Sequence, residues 1–164
     1  MNDEAPAEPL WLDQDQQHAW RAYISGTTLL LDRLDDELRQ SHKIGLNEYE
    51  VLVRLSERED HRMRMSMLAD AMRFSRSRIT HTIKRMEEAG LVDRTQSADD
   101  GRGVIARLTP EGYQRLKDAA PSHVAGVREH LVALASGPDF EAVGRVFDAV
   151  VDALSGDSPE TDIR

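Results

Sequence analysis

The sequence predicts a mainly α-helical protein with one small β-hairpin. We expect a winged helix-turn-helix domain joined to a helical dimerisation domain formed by the N- and C-terminal helices. Most of the 164-residue chain carries apolar residues at the three- and four-residue spacing of amphipathic helices. Two helices in the middle are separated by a turn of only three residues, and two short, partly alternating stretches follow them directly. A chain of this length has room for one such domain and a dimerisation appendage.

Two helices are predicted before the central motif. The first spans about residues 13–42, and its apolar stripe repeats every three or four positions, at Trp20, Tyr23, Thr27, Leu30, Leu31, Leu34 and Leu38. The second begins at Leu46, ends near Glu59 and buries Tyr49, Leu52, Val53 and Leu55. Residues 1–12 are rich in proline and acids, so we expect a disordered lead-in.

The segment MSMLADAMRFSRSRITHTIKRMEEAGLV contains the predicted helix-turn-helix. Ser66 is expected to cap a short first helix, and Ser75 a longer second helix after the tight connection RFS. Gly90 is expected to end the second helix in the left-handed conformation that favours glycine. The two helices and their turn are the elements of a DNA-binding module.

The segments LVDRT and GVIARL, separated by QSADDGR, are the two predicted strands of the hairpin. Thr109 and Pro110 begin a fifth helix that extends to about Ala135, with an inward stripe of Leu116, Val124, Val127, Leu131 and Leu134. A last helix follows Gly137 and has apolar residues at a spacing that suits a partner helix: Phe140, Val143, Phe147, Val150 and Leu154. Residues 156–164 are expected to be disordered.

The composition excludes several classes of protein. There is no cysteine, so a disulfide scaffold, a thiolate zinc site and a cysteine redox sensor are excluded. The six histidines include no close pair, and we expect neither a metal nor another cofactor. The acidic N-terminus lacks the features of a signal peptide, and the longest apolar runs are too short to span a membrane. We therefore expect a cytoplasmic protein.

The net charge of -9 is unevenly distributed. Residues 62–107 hold ten basic and six acidic residues and so carry +4, which leaves -13 on the rest of the chain. Residues 71–86 contain five basic residues and no acid. A local basic stripe on an acidic protein is typical of a surface that binds a polyanion.

The longer helix of the motif has the composition of a recognition helix. If Ile79, Ile83 and Met86 face the core, the opposite face presents hydroxyls, an imidazole and cations, which suit base edges and phosphates in a major groove. An ordinary amphipathic surface helix is the alternative. The predicted DNA-binding residues on and beside this helix are Arg73, Ser75, Arg76, Ser77, Arg78, Thr80, His81, Lys84 and Arg85.

The stretch ADDGRGVIARLTPEG permits two interpretations. A Gly-x-Gly can cradle a phosphate in an enzyme, but such a cradle normally lies between a buried parallel strand and a helix. Here it follows a helix-turn-helix, which favours the tip of a wing that reaches a neighbouring minor groove. We expect Arg94 to hold a phosphate and the tip to contribute Asp100, Gly101, Arg102 and Gly103, with Asp100 orienting Arg102. We predict no enzymatic activity.

Together these motifs resemble the multiple-antibiotic-resistance regulator (MarR) family of bacterial transcription factors. The wing matches the family's pattern at Asp100, Arg102, Leu108, Thr109 and Gly112, and residues 75–92 match its recognition helix. The resemblance covers about residues 13–154.

The resemblance implies a homodimer that binds a pseudo-palindromic operator in double-stranded DNA, mostly to repress its own and neighbouring genes. It also implies a small-molecule effector, which could be an anionic aromatic compound, bound where the first, second and fifth helices meet. Candidate residues there are Trp20, Tyr23, His42 and Tyr49, although these residue types also serve as core packing. The alternative function is a protein-interaction module or anti-repressor that kept the fold without binding DNA.

The predicted organisation follows from these elements. Residues 1–12 are a lead-in, 13–45 a dimerisation helix, 46–112 the winged helix-turn-helix, 113–155 further dimerisation helices and 156–164 a tail.

Overall fold

The computed structural model describes residues 10–96 and 103–155. Along these residues the elements are α1 (Gln14–His42), α2 (Leu46–Ser56), β1 (Arg62–Arg64), α3 (Met65–Ala71), α4 (Arg76–Glu88), β2 (Val92–Gln96), β3 (Val104–Leu108), α5 (Pro110–His130), a 3-10 turn (Val132–Leu134) and α6 (Gly137–Ser155). The predicted fold class is confirmed, since the described chain is mostly helical with one small antiparallel sheet. Of the predicted lead-in, residues 1–12, and the predicted tail, residues 156–164, the structure describes only residues 10–12.

Side-chain caps fix where three of the helices begin. The Asp13 carboxylate accepts the Gln16 N–H at 2.8 Å, and the Gln16 side chain accepts the Asp13 N–H in return, so α1 begins with a capping box. Ser75 caps α4 by accepting the Arg78 N–H, and Thr109 caps α5 by accepting the Gly112 N–H at 2.9 Å. The caps predicted at Ser75 and Thr109 are confirmed. Gly90, at φ 73°, follows α4 in the predicted left-handed conformation.

Three predicted boundaries are wrong, and the first is the end of α2, which lies at Ser56 rather than near Glu59. Ser66 does not cap α3, because that helix begins one residue earlier, and its N-cap is Arg64 in extended backbone. The extended Arg64 ends strand β1, which is too short to show a repeating pattern in the sequence. Helix α5 ends at His130 rather than near Ala135, because Leu131 leaves the helical conformation and a 3-10 turn follows.

The sheet has the strand order β1-β3-β2, with both pairs antiparallel. It has three strands, where the sequence predicted a two-stranded hairpin. Met63 on β1 and Arg94 on β2 both pair with Ala106 on β3, so these three residues share the face that packs on the helices. Arg62, Arg64 and their partners on β3 therefore lie on the outer face. Strand β1 forms one edge of the sheet, and β2 forms the opposite edge.

One apolar core joins the end of α1, the helix-turn-helix, the sheet and the start of α5. Its completely or almost completely buried side chains include Leu38, Ile44, Leu52, Leu55, Leu68, Ile79, Ile83, Met86, Leu91 and Val92. Burial of such side chains stabilises a fold by roughly 1.5–3 kcal/mol each. This core therefore fixes the orientation of α3, α4 and the sheet as one body.

Two carboxylates hold the start of α2 against its neighbours. Asp35 on α1 accepts the Leu46 N–H at 2.7 Å and pairs with Arg39. Glu48 accepts the Gly45 N–H at 2.8 Å, and its other oxygen lies 3.1 Å from the Arg85 guanidinium on α4. The two N–H groups would otherwise lack partners at the helix start. These contacts connect α1, α2 and α4 in series.

Exposed apolar side chains lie mostly outside this core. Among the described residues, sixteen of the eighteen large ones belong to residues 10–31, the C-terminal half of α5 with its turn, and α6. Val124 and Leu134, expected to face inward, are 53% and 81% exposed. Helix α6 contacts α1 where the Phe147 ring lies 5.0 Å from that of Tyr23. A single chain therefore leaves these helices uncovered.

No helix in the described part of the chain combines the length and apolar composition that a membrane span requires.

Gly112 lies where α5 closely approaches the sheet, and a substitution there tests this packing. A Cβ at this position would collide with the Leu91 carbonyl oxygen and lie 2.9 Å from Leu108 Cδ1. We expect Gly112→Ala to lower the free energy of unfolding by about 2 kcal/mol or more, measured by urea denaturation. The control Gly26→Ala has open space around its Cβ and should raise it by up to about 1 kcal/mol. An unchanged value for Gly112→Ala would contradict the described packing.

Candidate nucleic-acid interface

Helix α4 has one buried and one exposed face. Ile79, Ile83 and Met86 are at most 1% exposed. The opposite face presents side chains that are all exposed: Ser75, Arg76, Ser77, Arg78, Thr80, His81, Lys84 and Arg85. This is the orientation that the apolar spacing predicts, and Arg73 just before the helix is exposed as well. The face therefore offers cations, hydroxyls and an imidazole to solvent, with no acidic residue from 71 to 86.

Two contacts order side chains on this face. The Thr80 hydroxyl donates to the Arg76 carbonyl oxygen at 2.7 Å, so its lone pairs remain available as acceptors. The Arg78 guanidinium lies 3.7 Å from the centre of the Phe74 ring in a cation–π contact. Phe74 is part of the turn between α3 and α4, so the turn positions a cation at the start of α4.

Three cations of α4 pair with carboxylates outside the acid-free stretch. Arg76 lies 3.1 Å from Asp70, Arg85 lies 3.1 Å from Glu48, and Lys84 lies 3.8 Å from Glu88. The three cations are 60–62% exposed. The carboxylates of Asp70 and Glu88 are exposed as well, so these two pairs contribute little to stability and a phosphate can replace the carboxylate at small cost, whereas Glu48 is only 13% exposed.

Arg94 connects the wing to the recognition helix. Its Nε lies 2.8 Å from Glu87 on α4, and 31% of its side chain is exposed, while the phosphate contact predicted for it stays a prediction. The pair holds the pKa of Glu87 below its usual value, chiefly through the hydrogen bond from Arg94. Arg94 thus fixes the wing strand β2 against the recognition helix. In the sequence, the acidic residue Glu87, seven positions before Arg94, is the feature that could have indicated this ion pair.

The predicted wing tip is only partly described. Asp100, Gly101 and Arg102 lie outside the described residues, and Gly103 is described and directly precedes strand β3. The strands that carry the tip are joined by a cross-strand ion pair between Arg107 and Asp93, with 2.7 Å between nitrogen and oxygen. The roles of the tip residues stay predictions from the sequence.

The comparisons with known proteins agree with this geometry. The sequence profile of the MarR family matches residues 44–104. AbsC, a MarR family transcriptional regulator from Streptomyces coelicolor, is 40% identical over 90% of this chain and 99% of AbsC, with a TM-score of 0.84. The chain belongs to the MarR family of transcriptional regulators. Sco3205, a MarR family regulator from the same organism solved in complex with DNA, is 36% identical over 96% of this chain and 97% of Sco3205, with a TM-score of 0.86.

Curated MarR-type relatives match over a shorter length. The regulator PecS from Dickeya dadantii is 28% identical over 66% of both chains. The repressor MprA from Escherichia coli K12 is 30% identical over 47% of this chain and 45% of MprA. The aligned part therefore spans about two thirds of PecS and under half of MprA. Members of the MarR family are transcriptional regulators and not enzymes, so the phosphate-loop interpretation of the glycine-rich stretch is wrong.

This MarR-family chain does not gather the four predicted effector residues in one place. Trp20 and Tyr23 form an exposed aromatic cluster with Phe147, whereas His42 ends α1 and bonds to Ser122 at 2.7 Å. Nineteen residues of helix separate Tyr23 from His42, which corresponds to about 28 Å. Tyr49 is buried near the His42 end. The four residues therefore belong to two sites within one chain.

A cavity of about 240 Å³ lies between α1 and α5. It is lined by Leu34, Glu37, Leu38, Ser41, Ser122, His123, Ala125, Gly126 and Glu129. The His123 ring lies 4.5 Å from that of Tyr49, and its Nδ1 is buried with no hydrogen-bond partner among the residues that the structure describes. An unpaired buried nitrogen is costly, so a ligand or water that bonds to it is favoured. His123 was not among the predicted site residues because its neighbours are distant in sequence.

A second histidine, His130, contacts the cavity residue Glu37. His130 on α5 lies 2.9 Å from Glu37 on α1, and Arg33 also pairs with Glu37. The hydrogen bond with His130, and after it the one with Arg33, holds the pKa of Glu37 below its usual value. Among the residues that the structure describes, no group of three or more histidines and acids could hold a metal ion.

The half-buried His123 predicts a pH-dependent stability. Burial lowers the pKa of its imidazole below the ordinary value of 6.5, so the folded protein resists protonation that the unfolded chain accepts. Stability due to neutral His123 is thus fully present above pH 6.5 and is lost as the pH falls below it. We expect His123→Phe to show a smaller decrease in unfolding free energy between pH 7.5 and 5.5 than the wild type. Equal decreases in urea denaturation would contradict this assignment.

Proposed function

We propose that this MarR-family protein is a cytoplasmic homodimeric repressor that binds duplex DNA through α4 and the wing and is released by a small-molecule effector. The observation that carries the proposal is the exposed, acid-free face of α4. Its width suits a major groove, and its hydroxyls and imidazole suit base edges while its cations suit phosphates. The DNA complex of Sco3205 and the names of the repressors MprA and YetL, the latter from Bacillus subtilis and 29% identical, support it.

The uncovered apolar helices support a homodimer. Residues 10–31, the end of α5 and α6 expose apolar side chains that a single chain does not cover. A second copy of the same helices would bury them around a two-fold axis. This agrees with the predicted dimerisation regions, residues 13–45 and 113–155, and with winged domains formed by residues 46–112. A two-fold dimer favours a pseudo-palindromic operator with half-sites about one helical turn, roughly 10 bp, apart.

The cavity between α1 and α5 is the effector site that we favour. It lies between two helices of the proposed dimer domain, and His123 in its lining contacts Tyr49 of the winged domain, so a ligand there can prefer one separation of the two winged domains. Glu37 and Glu129 line it with negative charge. This lining favours a neutral or cationic ligand over the anionic aromatic compound that the sequence suggested. His123 Nδ1 is positioned to bond to a polar group of that ligand.

The α4 face is tested by separating base recognition from phosphate contact. An operator is first selected from a random pool of duplexes, and binding is measured by fluorescence anisotropy at several salt concentrations. We expect Thr80→Val and His81→Ala each to reduce discrimination between bases by about 1–3 kcal/mol at one position of each half-site. Lys84→Gln should instead weaken binding to every sequence and lower the salt slope by about 1.8, for two phosphate contacts in a dimer.

Two results would contradict this function. A folded wild-type dimer that binds no duplex even at low salt would favour the interaction module instead. A uniform loss of affinity in the Thr80 and His81 variants would place these residues among the phosphate contacts.

The dimer is tested by a charge placed on α6. Val146 is 58% exposed in the single chain. We expect Val146→Glu to convert the dimer to monomers in sedimentation velocity, because a carboxylate would be buried without a partner. Val104→Glu, at an exposed position at the start of strand β3, is the matched control and should leave the dimer intact. A dimeric Val146→Glu variant would mean that this face of α6 is not in the interface.

A further inference from the structure

Arg78 differs from other cations on the exposed face of α4 in what its side chain contacts. Arg76, Lys84 and Arg85 each lie beside a carboxylate, at 3.1, 3.8 and 3.1 Å. Among the described residues no carboxylate forms an ion pair with Arg78, and its guanidinium carbon instead lies 3.7 Å from the centre of the Phe74 ring. An aromatic ring, rather than an acid, therefore holds this cation in position.

The short distance between the two groups shows how they are stacked. The C–N bonds of a guanidinium are about 1.3 Å long, so a nitrogen that pointed at the ring would lie about 2.4 Å from its centre, closer than van der Waals contact allows. The guanidinium of Arg78 consequently turns its flat face toward the Phe74 ring. Its N–H donors all lie in the guanidinium plane, so they point past the ring and remain available to acceptors.

The helix-turn-helix itself fixes both partners of this stack. The Phe74 side chain packs against the apolar core, and its N–H donates to the Ala69 carbonyl oxygen on α3 at 2.9 Å. Arg73, directly before it, has a left-handed φ of 53°, where the turn between the two helices bends. The Arg78 N–H donates to the Ser75 hydroxyl that caps α4. The direction of the Arg78 side chain is thus set before any DNA is bound.

The stacked guanidinium lies near the start of α4. Arg78 is the third residue of this helix, which begins at Arg76. In a helix-turn-helix, the N-terminal residues of the recognition helix contact base edges. Guanine presents two acceptors in the major groove, O6 and N7, and the planar fork of an arginine matches both. Stacking restricts the side chain in advance, so less conformational freedom is lost when the fork binds a base.

We propose that Arg78 reads one guanine in each half-site of the operator through hydrogen bonds to O6 and N7, and that Phe74 is the positioning residue that orients it. The inference rests on the proposed DNA-binding function and deepens it, because it assigns one cation of the exposed face to a base instead of a phosphate. It also requires the operator to contain a G·C pair at equivalent positions of the two half-sites.

Two other roles would use the same positive charge. Desolvation raises the pKa of the Glu50 carboxyl on α2, and the charges of Arg54 and Arg78 partly offset that rise, so one alternative is that Arg78 only balances Glu50. The other alternative is a contact with a backbone phosphate. Neither role reads sequence. Both therefore predict that the discrimination between bases stays unchanged when the Arg78 side chain is removed.

The test measures base discrimination by full-length variants on the selected operator, with fluorescence anisotropy as the readout. Each G·C pair of one half-site is exchanged in turn for A·T, and each guanine is replaced in turn by 7-deazaguanine, which lacks the N7 acceptor. The variants are Arg78→Ala, Phe74→Leu, which removes the ring but keeps an apolar side chain, and Phe74→Tyr, which keeps the ring. Arg21→Ala on α1 is the matched control for loss of one charge. Circular dichroism verifies that each variant is folded.

At one position of the half-site, the exchange of G·C for A·T should weaken binding of the wild type by roughly 5- to 150-fold. Replacement of the same guanine by 7-deazaguanine should also weaken it. Arg78→Ala should abolish both penalties at this position and keep the penalties at every other position. Phe74→Leu should reduce the same two penalties, whereas Phe74→Tyr and Arg21→Ala should show the full wild-type values.

Four results would overturn the proposal or one part of it. An equal loss of affinity of Arg78→Ala for every duplex, with all penalties retained, would assign Arg78 to a phosphate. Unchanged affinity and penalties would leave it the role of balancing Glu50. A selected operator without a symmetric pair of G·C positions would exclude guanine reading. Full penalties in Phe74→Leu would refute the positioning role of Phe74.

Failure of the proposed function has a different outcome. A folded wild-type dimer that binds no duplex at low salt would refute DNA binding itself, whereas each of the four results above is obtained with a wild type that binds its operator.

Discussion

The burial of Ile79, Ile83 and Met86 is the constraint on which the rest of the structure depends. These side chains fix the rotation of α4 about its own axis, because any other rotation would expose them to water and bury cations. The same rotation leaves the acid-free face exposed. The wing then takes its place through Arg94, which joins β2 to Glu87 on α4. The geometry of the candidate interface is thus a consequence of core packing, and its chemistry is carried by residues that the core does not need.

Polar contacts add to the shared apolar core in connecting α1, α2 and α4. Asp35 and Glu48 each accept an N–H at the start of α2, and Glu48 also reaches Arg85 on the recognition helix. Contacts of this kind depend on direction, so a shift of α1 against α2 changes where α4 lies. Gly126 brings α5 close to α1 beside the cavity, because a Cβ there would lie 2.7 Å from the Glu37 carboxylate. The cavity therefore borders the dimer helices whose spacing sets the separation of the two winged domains in the proposed dimer.

The sequence predicts most of the fold because strong local signals coincide. Ser75, Gly90 and Thr109 define helix ends, and the apolar stripe of α4 defines its exposed face. Strand β1 was missed because three residues cannot show a period, and its pairing with β3 appears only in the structure. The site was predicted less completely than the fold. The partner of Arg94 and the lining around His123 depend on contacts between distant elements, which residue spacing does not reveal.

Hydroxyl-radical footprinting of the wild-type protein on its selected operator tests the central claim most directly. A two-fold dimer that inserts α4 into two major grooves should protect two equivalent backbone regions, centred about 10 bp apart. Substituting glutamine at Lys84 should remove backbone protection beside each recognition helix and leave the symmetry of the pattern unchanged. A single protected region, or one that does not respond to the Lys84 substitution, would contradict the account.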